Sequence, residues 1–202
     1  GGGPLTVQFL TEGAIADATL EAIETTLAGD AIDLARFYLA ERRHVEALAA
    51  AAMRGVEVRI VLDPNKDAFG HIKDGLPNRP VAAELRQLSG DRVQVRWYRT
   101  HGEQFHVKLI AVRRSNDLWL CLGSANLTRR NLDDFNLEAN LAITAPVHGT
   151  LAREVRHWFD TLWRAESAEA LEYTADFSVY EDQSRIRYWR YRIMEATGLS
   201  TF

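Results

Sequence analysis

His106-Val107-Lys108-Leu109-Ile110-Ala111-Val112-Arg113-Arg114-Ser115-Asn116-Asp117-Leu118-Trp119-Leu120-Cys121-Leu122-Gly123-Ser124-Ala125-Asn126 is the stretch on which the reading of this chain turns. An apolar run through Val112 reads as a strand. The polar run from Arg113 to Asp117 reads as a turn, and Leu118 to Leu122 as a second strand. Successive side chains of a strand point to opposite faces. His106 and Lys108 therefore share a face, as do Ser124 and Asn126. A hairpin brings its two ends together, so the spacing predicts an imidazole, an ammonium, a hydroxyl and a carboxamide in one small volume.

That set of groups suits phosphodiester chemistry. The anionic oxygens of a phosphodiester repel nucleophiles, so a catalyst must neutralise them, supply a nucleophile and protonate the leaving alkoxide. Lys108 can neutralise, Asn126 can donate to a second oxygen, and Ser124 can orient phosphate or imidazole. His106 can attack phosphorus, because neutral imidazole is a good nucleophile near pH 7. Each residue alone would more often be structural or solvated; the joint pattern carries the assignment.

Working outward, Leu5 to Leu10 reads as a strand and Ala14 to Ala28 as a helix, with Leu20, Ile23 and Leu27 on one face. Ala31 to Phe37 is a second strand. Glu41 to Arg54 is a helix stopped by Gly55, and Val56 to Leu62 alternates as a third strand. Pro64 to Pro80 has no period and is expected to be a long surface loop. Val81 to Leu88 follows as a short helix, Val93 to Trp97 as a strand, Asn136 to Ile143 as another, and Pro146 to Trp163 as a helix. Residues 165–184 read as irregular and Arg185 to Ala196 as a last helix. The expected fold class is α/β: a mixed, largely parallel central sheet with helices on both faces.

The chain has 202 residues and a formal net charge of −4. The length suits one domain with an ample core, and the charge weighs against a dedicated nucleic-acid binder. Cys121 is the sole cysteine, which excludes an intrachain disulfide; its apolar strand marks it as a buried small residue. No apolar run approaches a membrane span, and no signal peptide is visible. Residues 1–4 are expected to be a linker or a cloning remnant, leaving 5–202 as the domain.

His106-x-Lys108 followed by Gly123-Ser124-x-Asn126 resembles the signature of the phospholipase D superfamily. Ala50 to Ile60, with its Met53-Arg54-Gly55-Val56 turn, is similar to that family's helix, turn and strand. Phe135-Asn136-Leu137-Glu138-Ala139-Asn140 is similar to its strand after the motif, and Tyr188 through Leu199 to C-termini of cardiolipin-synthase-like members. The resemblance implies a phosphohistidine intermediate on His106. It also implies that Glu138 accepts from the other ring nitrogen of the histidine. One departure stands out: the family's motif aspartate falls at Arg113 here, while Asp117, counted back from Gly123, occupies the turn.

The resemblance further implies two facing motif copies, one histidine attacking and the other protonating the leaving group. With a single copy here, the second is expected from an absent N-terminal half or a homodimer mate, the absent half being preferred. The leading expectation is a phosphodiesterase or phosphatidyltransferase acting on glycerophospholipids, placed in the cytoplasm or peripherally at the inner membrane. A nuclease of the same superfamily and a non-catalytic half completing a partner's site are the alternatives, with nucleic acid the less favoured partner. No cofactor and no metal are expected.

Other residues are weaker candidates. His101 and His71 are expected to be solvated or to flank the cleft. His44, His148 and His157 are expected on helix surfaces, and Asp63 to cap a turn rather than bind metal. Tyr188, Trp189 and Tyr191 suit a membrane interface or packing, with packing preferred.

Overall fold

The computed structural model describes residues 4–68, 71–72, 74–133, 135–164 and 173–197. The chain runs through β1 (Thr6–Thr11), α1 (Gly13–Glu24), β2 (Ala31–Arg36), α2 (Arg42–Met53), β3 (Glu57–Leu62), the small pair β4 (Asp67–Ala68) and β5 (His71–Ile72), and α3 (Asn78–Leu88). Then come β6 (Gln94–Tyr98), β7 (Lys108–Arg113), β8 (Asp117–Gly123), α4 (Arg129–Leu132), β9 (Ala139–Pro146), α5 (Thr150–Trp163), β10 (Thr174–Asp176), a 3-10 turn (Phe177–Tyr180) and α6 (Arg185–Thr197).

The main sheet has eight strands in the order β1-β9-β8-β7-β2-β3-β6-β10. It is mixed and covered on both faces, as the sequence predicts. The parallel part is smaller than expected: only β2–β3 and β3–β6 are parallel, while β1–β9, β9–β8, β8–β7, β7–β2 and β6–β10 are antiparallel. The physical reason lies in the connections. Helical crossovers α2 and α3 force parallel neighbours, whereas the short turn at 114–116 forces an antiparallel pair.

Two cores form. On one face α1, α2 and α3 pack against Ile32, Leu34, Val58, Ile60, Val95 and Ile110. On the other, Phe159 and Leu162 of α5 cover Ala35, Val61 and Phe105, and Ala152 covers Ala111, Leu118 and Leu120. This explains why β2 is buried at every position rather than alternating. Each fully buried Leu, Ile or Phe contributes about 1.5–3 kcal/mol of transfer free energy.

Several boundaries depart from the sequence reading. Helix α1 stops at Glu24, and Asp30 closes the turn by accepting from Leu27 N at 2.8 Å, so Leu27 is exposed rather than core. Strand β9 extends to Pro146, which pairs with Asp117; the Pro146 carbonyl then accepts from Gly149 N, and α5 begins only at Thr150. The segment after β3 is not merely a surface loop. Asn65 and Asn78 are wholly buried, Asn78 Nδ2 donates to Phe37 O and Asp63 O, and Asn78 N donates to Asn65 Oδ1. The loop is thus pinned at both ends. The stretch read as irregular also contains a strand: β10 adds to the sheet edge beside β6.

Candidate active site

The site forms at the end of the sheet where β2, β7 and β8 meet. Phe37 N donates to Val107 O, and Leu39 bridges Leu127 in parallel. The segment after β2 therefore runs between the His106–Lys108 strand and the chain leaving Asn126. Phe37 forms a floor shared by the first two candidates. Its ring centroid lies 5.0 Å from that of His106 and 5.4 Å from Lys108 Nζ.

Close packing fixes the Gly123–Asn126 turn. A Cβ on Gly123 would collide with both Ala139 O and Asn140 Oδ1, so only glycine fits this approach. Asn140 Oδ1 accepts from Ala125 N, and its Nδ2 reaches Cys121 Sγ at 3.3 Å, which accounts for the buried thiol. Ser124 Oγ donates to Glu138 Oε2 at 2.5 Å and accepts from Ala139 N at 3.0 Å.

Lys108 is 7% exposed and Glu138 is the acidic group facing it. Burial and the Arg36 charge outweigh Glu138 and push the Lys108 ammonium down to about 8. Partial desolvation on one side of the ring and then Lys108 lower His106 below its usual 6.5, so the imidazole is neutral at pH 7. Asn126 Oδ1 is buried without a hydrogen-bond partner among the described residues. Most buried side-chain polar atoms in native proteins are paired, and this one, an acceptor, calls for a donor; the Asn126 Nδ2 is the atom that can donate to an anion.

One expected contact is replaced. Glu138 is not held by the His106 ring within this chain: its Oε2 takes the Ser124 hydroxyl and its Oε1 takes the Asn131 amide. The reason is that Glu138 precedes β9 and sits across from Ser124, whose partner in the ladder is Ala139. Asp117 behaves as a turn residue, its Oδ1 3.1 Å from Arg114 Nη1, and Arg113 pairs with Asp33 at 3.7 Å.

Sequence reasoning missed three contributors. Asn131 orients Glu138, Asn140 supports the turn, and Arg36 lies wholly buried opposite Lys108 in the β2–β7 register. Their types were visible, but nothing local marked their partners.

The histidines outside the motif fall into three groups. His44 is not on a helix surface: it is wholly buried, with Nδ1 2.6 Å from Glu41 Oε2 and Nε2 2.7 Å from Thr19 Oγ1. The α1–α2 contact creates that burial. His101, His148 and His157 are exposed, and the side chain of His71 lies outside the described residues. Asp63 accepts from Asn65 N and Phe105 N, a structural role as expected. Among the described residues no group of three His, Cys, Asp or Glu could hold a metal ion. No helix among them is long and apolar enough to cross a membrane.

Residues 22–163 match the family model described as cardiolipin synthase, PLD-like domain. The chain belongs to the phospholipase D superfamily. Solved structures share the phospholipase D fold at low identity. Nuc from Salmonella typhimurium, a phospholipase D family member, superposes with a TM-score of 0.62 at 20% identity, over 86% of this chain and 98% of that one. NucT from Helicobacter pylori gives 0.61 at 14% identity, over 86% and 99%. Phosphatidylserine synthase from Haemophilus influenzae gives 0.61 at 14% identity, over 96% of this chain and 46% of that one. The phospholipase D-like chain thus spans almost all of two such structures and less than half of a third. No curated protein matches the sequence.

Proposed function

We propose that this chain is a motif-bearing half of a phosphodiesterase or phosphatidyltransferase acting on glycerophospholipids. The observation that carries the reading is the cationic polar cluster: a neutral, exposed imidazole beside a buried Lys108 whose ammonium donates to the His106 carbonyl rather than to a carboxylate. In this reading a His106 ring nitrogen attacks phosphorus and the bond to the leaving alkoxide breaks. A phosphohistidine remains, and the alkoxide takes its proton from the histidine of a second motif. Water or an alcohol then attacks phosphorus, giving its proton back to that second histidine and freeing His106. The Lys108 ammonium and the Asn126 Nδ2 amide donate to the non-bridging oxygens. Ser124 and Asn131 fix Glu138 beside them.

Apolar surface next to the site supports a lipid. Leu137 is 91% exposed and Phe135 63%, and Leu137 lines a hollow with Ser124, Glu138 and Ala139. The ladder Phe9–Leu141–Leu122 presents a further exposed apolar strip that leads to Gly123 and Ser124. We assign this strip to the second motif-bearing half, from another copy or from a longer chain. The family match to a cardiolipin-synthase domain supports the same class. The nuclease alternative draws on the near-complete spans of Nuc and NucT.

The test is turnover on phosphatidylglycerol vesicles against single-stranded DNA, with excess chelator and with molecular mass measured in parallel. The reading predicts headgroup release that survives chelation, and a base-stable, acid-labile phosphate label that His106→Ala abolishes. Faster cleavage of DNA than of lipid would overturn the substrate class. A strict monomer turning over at an ordinary rate of about 1–10³ per second would overturn the two-histidine assembly.

A further inference from the structure

Arg36 closes β2 with its Cα opposite that of Lys108. The side chain has no exposure at all. Nη1 donates to Ala125 O at 2.8 Å, inside the Gly123–Asn126 turn. Nε and Nη2 have no partner among the described residues. The titratable groups facing it are Lys108 from β7, His44 from α2 and the Cys121 thiol from β8. None of these is a carboxylate.

A buried cation without a counter-ion is costly, and an apolar side chain of similar volume would ordinarily serve a strand better. The cost needs a return. Two features of the geometry supply one. The Ala125 carbonyl belongs to the residue between Ser124 and Asn126, so holding it sets the aim of both side chains. The guanidinium also stands behind Lys108, so the site carries two positive charges against the single carboxylate of Glu138 that faces Lys108. An anionic ligand is what such a site lacks.

We propose that Arg36 is a positioning residue for the phosphodiester group: it anchors the Gly123–Asn126 turn through Ala125 O and adds a permanent buried charge behind Lys108 that is balanced when phosphate binds. This rests on the reading of the site given above. Arg36 does not touch substrate, since its atoms are sealed from solvent. Burial lowers its own pKa, to about 10, so it stays protonated through the neutral range. A lysine whose neighbour is always charged gives up its proton more readily, in line with the depressed Lys108.

Two variants separate the parts. Arg36→Gln keeps a donor for Ala125 O and removes the charge; Arg36→Lys keeps the charge and loses the forked geometry. Lys108 is followed by its own NMR titration, with and without inorganic phosphate, beside thermal unfolding and vesicle turnover. In Arg36→Gln the Lys108 titration should rise by about one pH unit and phosphate affinity should fall about tenfold. In Arg36→Lys the titration should stay within a few tenths of a unit while kcat falls at near-constant KM, the mark of a misaimed turn. An unmoved Lys108 titration and phosphate affinity in Arg36→Gln would overturn the proposal, whether or not the wild type hydrolyses lipid. Wild-type protein that binds phosphate in this pattern but turns over no phosphodiester would instead overturn the functional reading and leave the role of Arg36 standing.

Discussion

Two buried polar clusters lie close together and are built on opposite principles. Around α2, Glu41 caps the helix through His44 N, binds the His44 ring and takes the Arg43 guanidinium, while Thr19 closes the far side of the ring. Glu41, Arg43, His44 and Thr19 each have a partner there. Around Lys108, by contrast, Arg36 leaves two nitrogens unpaired and Asn126 leaves its Oδ1 unpaired among the described residues. A satisfied network makes a fold specific and firm; an unsatisfied one is held open by the rest of the fold for something that is not part of the chain. The contrast separates scaffold from site without appeal to motif.

The largest expected effect breaks the open cluster. His106→Ala should reduce turnover by about 10⁴–10⁶-fold, the scale of losing a nucleophile, with thermal unfolding nearly unchanged because His106 is exposed. The converse change breaks the closed cluster. Glu41→Ala should cost about 1–3 kcal/mol in denaturant unfolding, since it removes a helix cap and leaves a buried His44 nitrogen unpaired, while any folded fraction keeps its phosphate site. Acid should do the same more gently. Burial alone would raise the Glu41 carboxyl, but the His44 and Arg43 bonds hold it at about 2. Its contribution is therefore complete above about 4.5 and is lost as pH falls from there toward 2.

Asn126→Ala should lower kcat by about 10²–10³-fold, the cost of one charge-stabilising donor, and leave stability unchanged or slightly improved. The pH profile of kcat/KM sharpens the comparison further. Neutral His106 is needed and its pKa is lowered, so the acid limb should fall below 6.5. Protonated Lys108 is needed, so activity should decline as pH rises through about 8. A profile flat from about pH 7 to 9 would refute the Lys108 assignment, and an acid limb centred above 6.5 would refute the His106 one. The smallest effect is on stability: Lys108→Met should abolish turnover yet raise unfolding free energy by about 1 kcal/mol or leave it level, because it removes a poorly balanced buried charge.

The sequence displayed the motif strands plainly because their chemistry and alternation are local. His106, Lys108, Ser124 and Asn126 reach one end of the sheet through a hairpin whose turn residues are adjacent in the chain. Arg36 was illegible because β2 is covered on both faces; without alternation nothing tells which way a strand residue points. His44 read as a surface residue because α2 alone does not reveal that α1 lies against it. Glu138 was found, but its partners were not: Ser124 and Asn131 meet it only once β8 and β9 are paired. The balance of parallel and antiparallel neighbours was similarly hidden, since strand order is a property of the whole sheet.

The pinned loop after β3 has a bearing on how this protein could be altered. Asn65 and Asn78 lock its two ends to Phe37 and Asp63, and Asp63 in turn holds Phe105 N on the approach to His106. A change of length between those clamps strains the clamps before it strains the sheet. Doubling the length of a loop adds only about 0.6 kcal/mol of closure entropy. The interval between Lys66 and Gly75 is therefore where added length should be tolerated best, and the Asn65, Asn78 and Asp63 clamps are where a badly chosen insertion would first be felt.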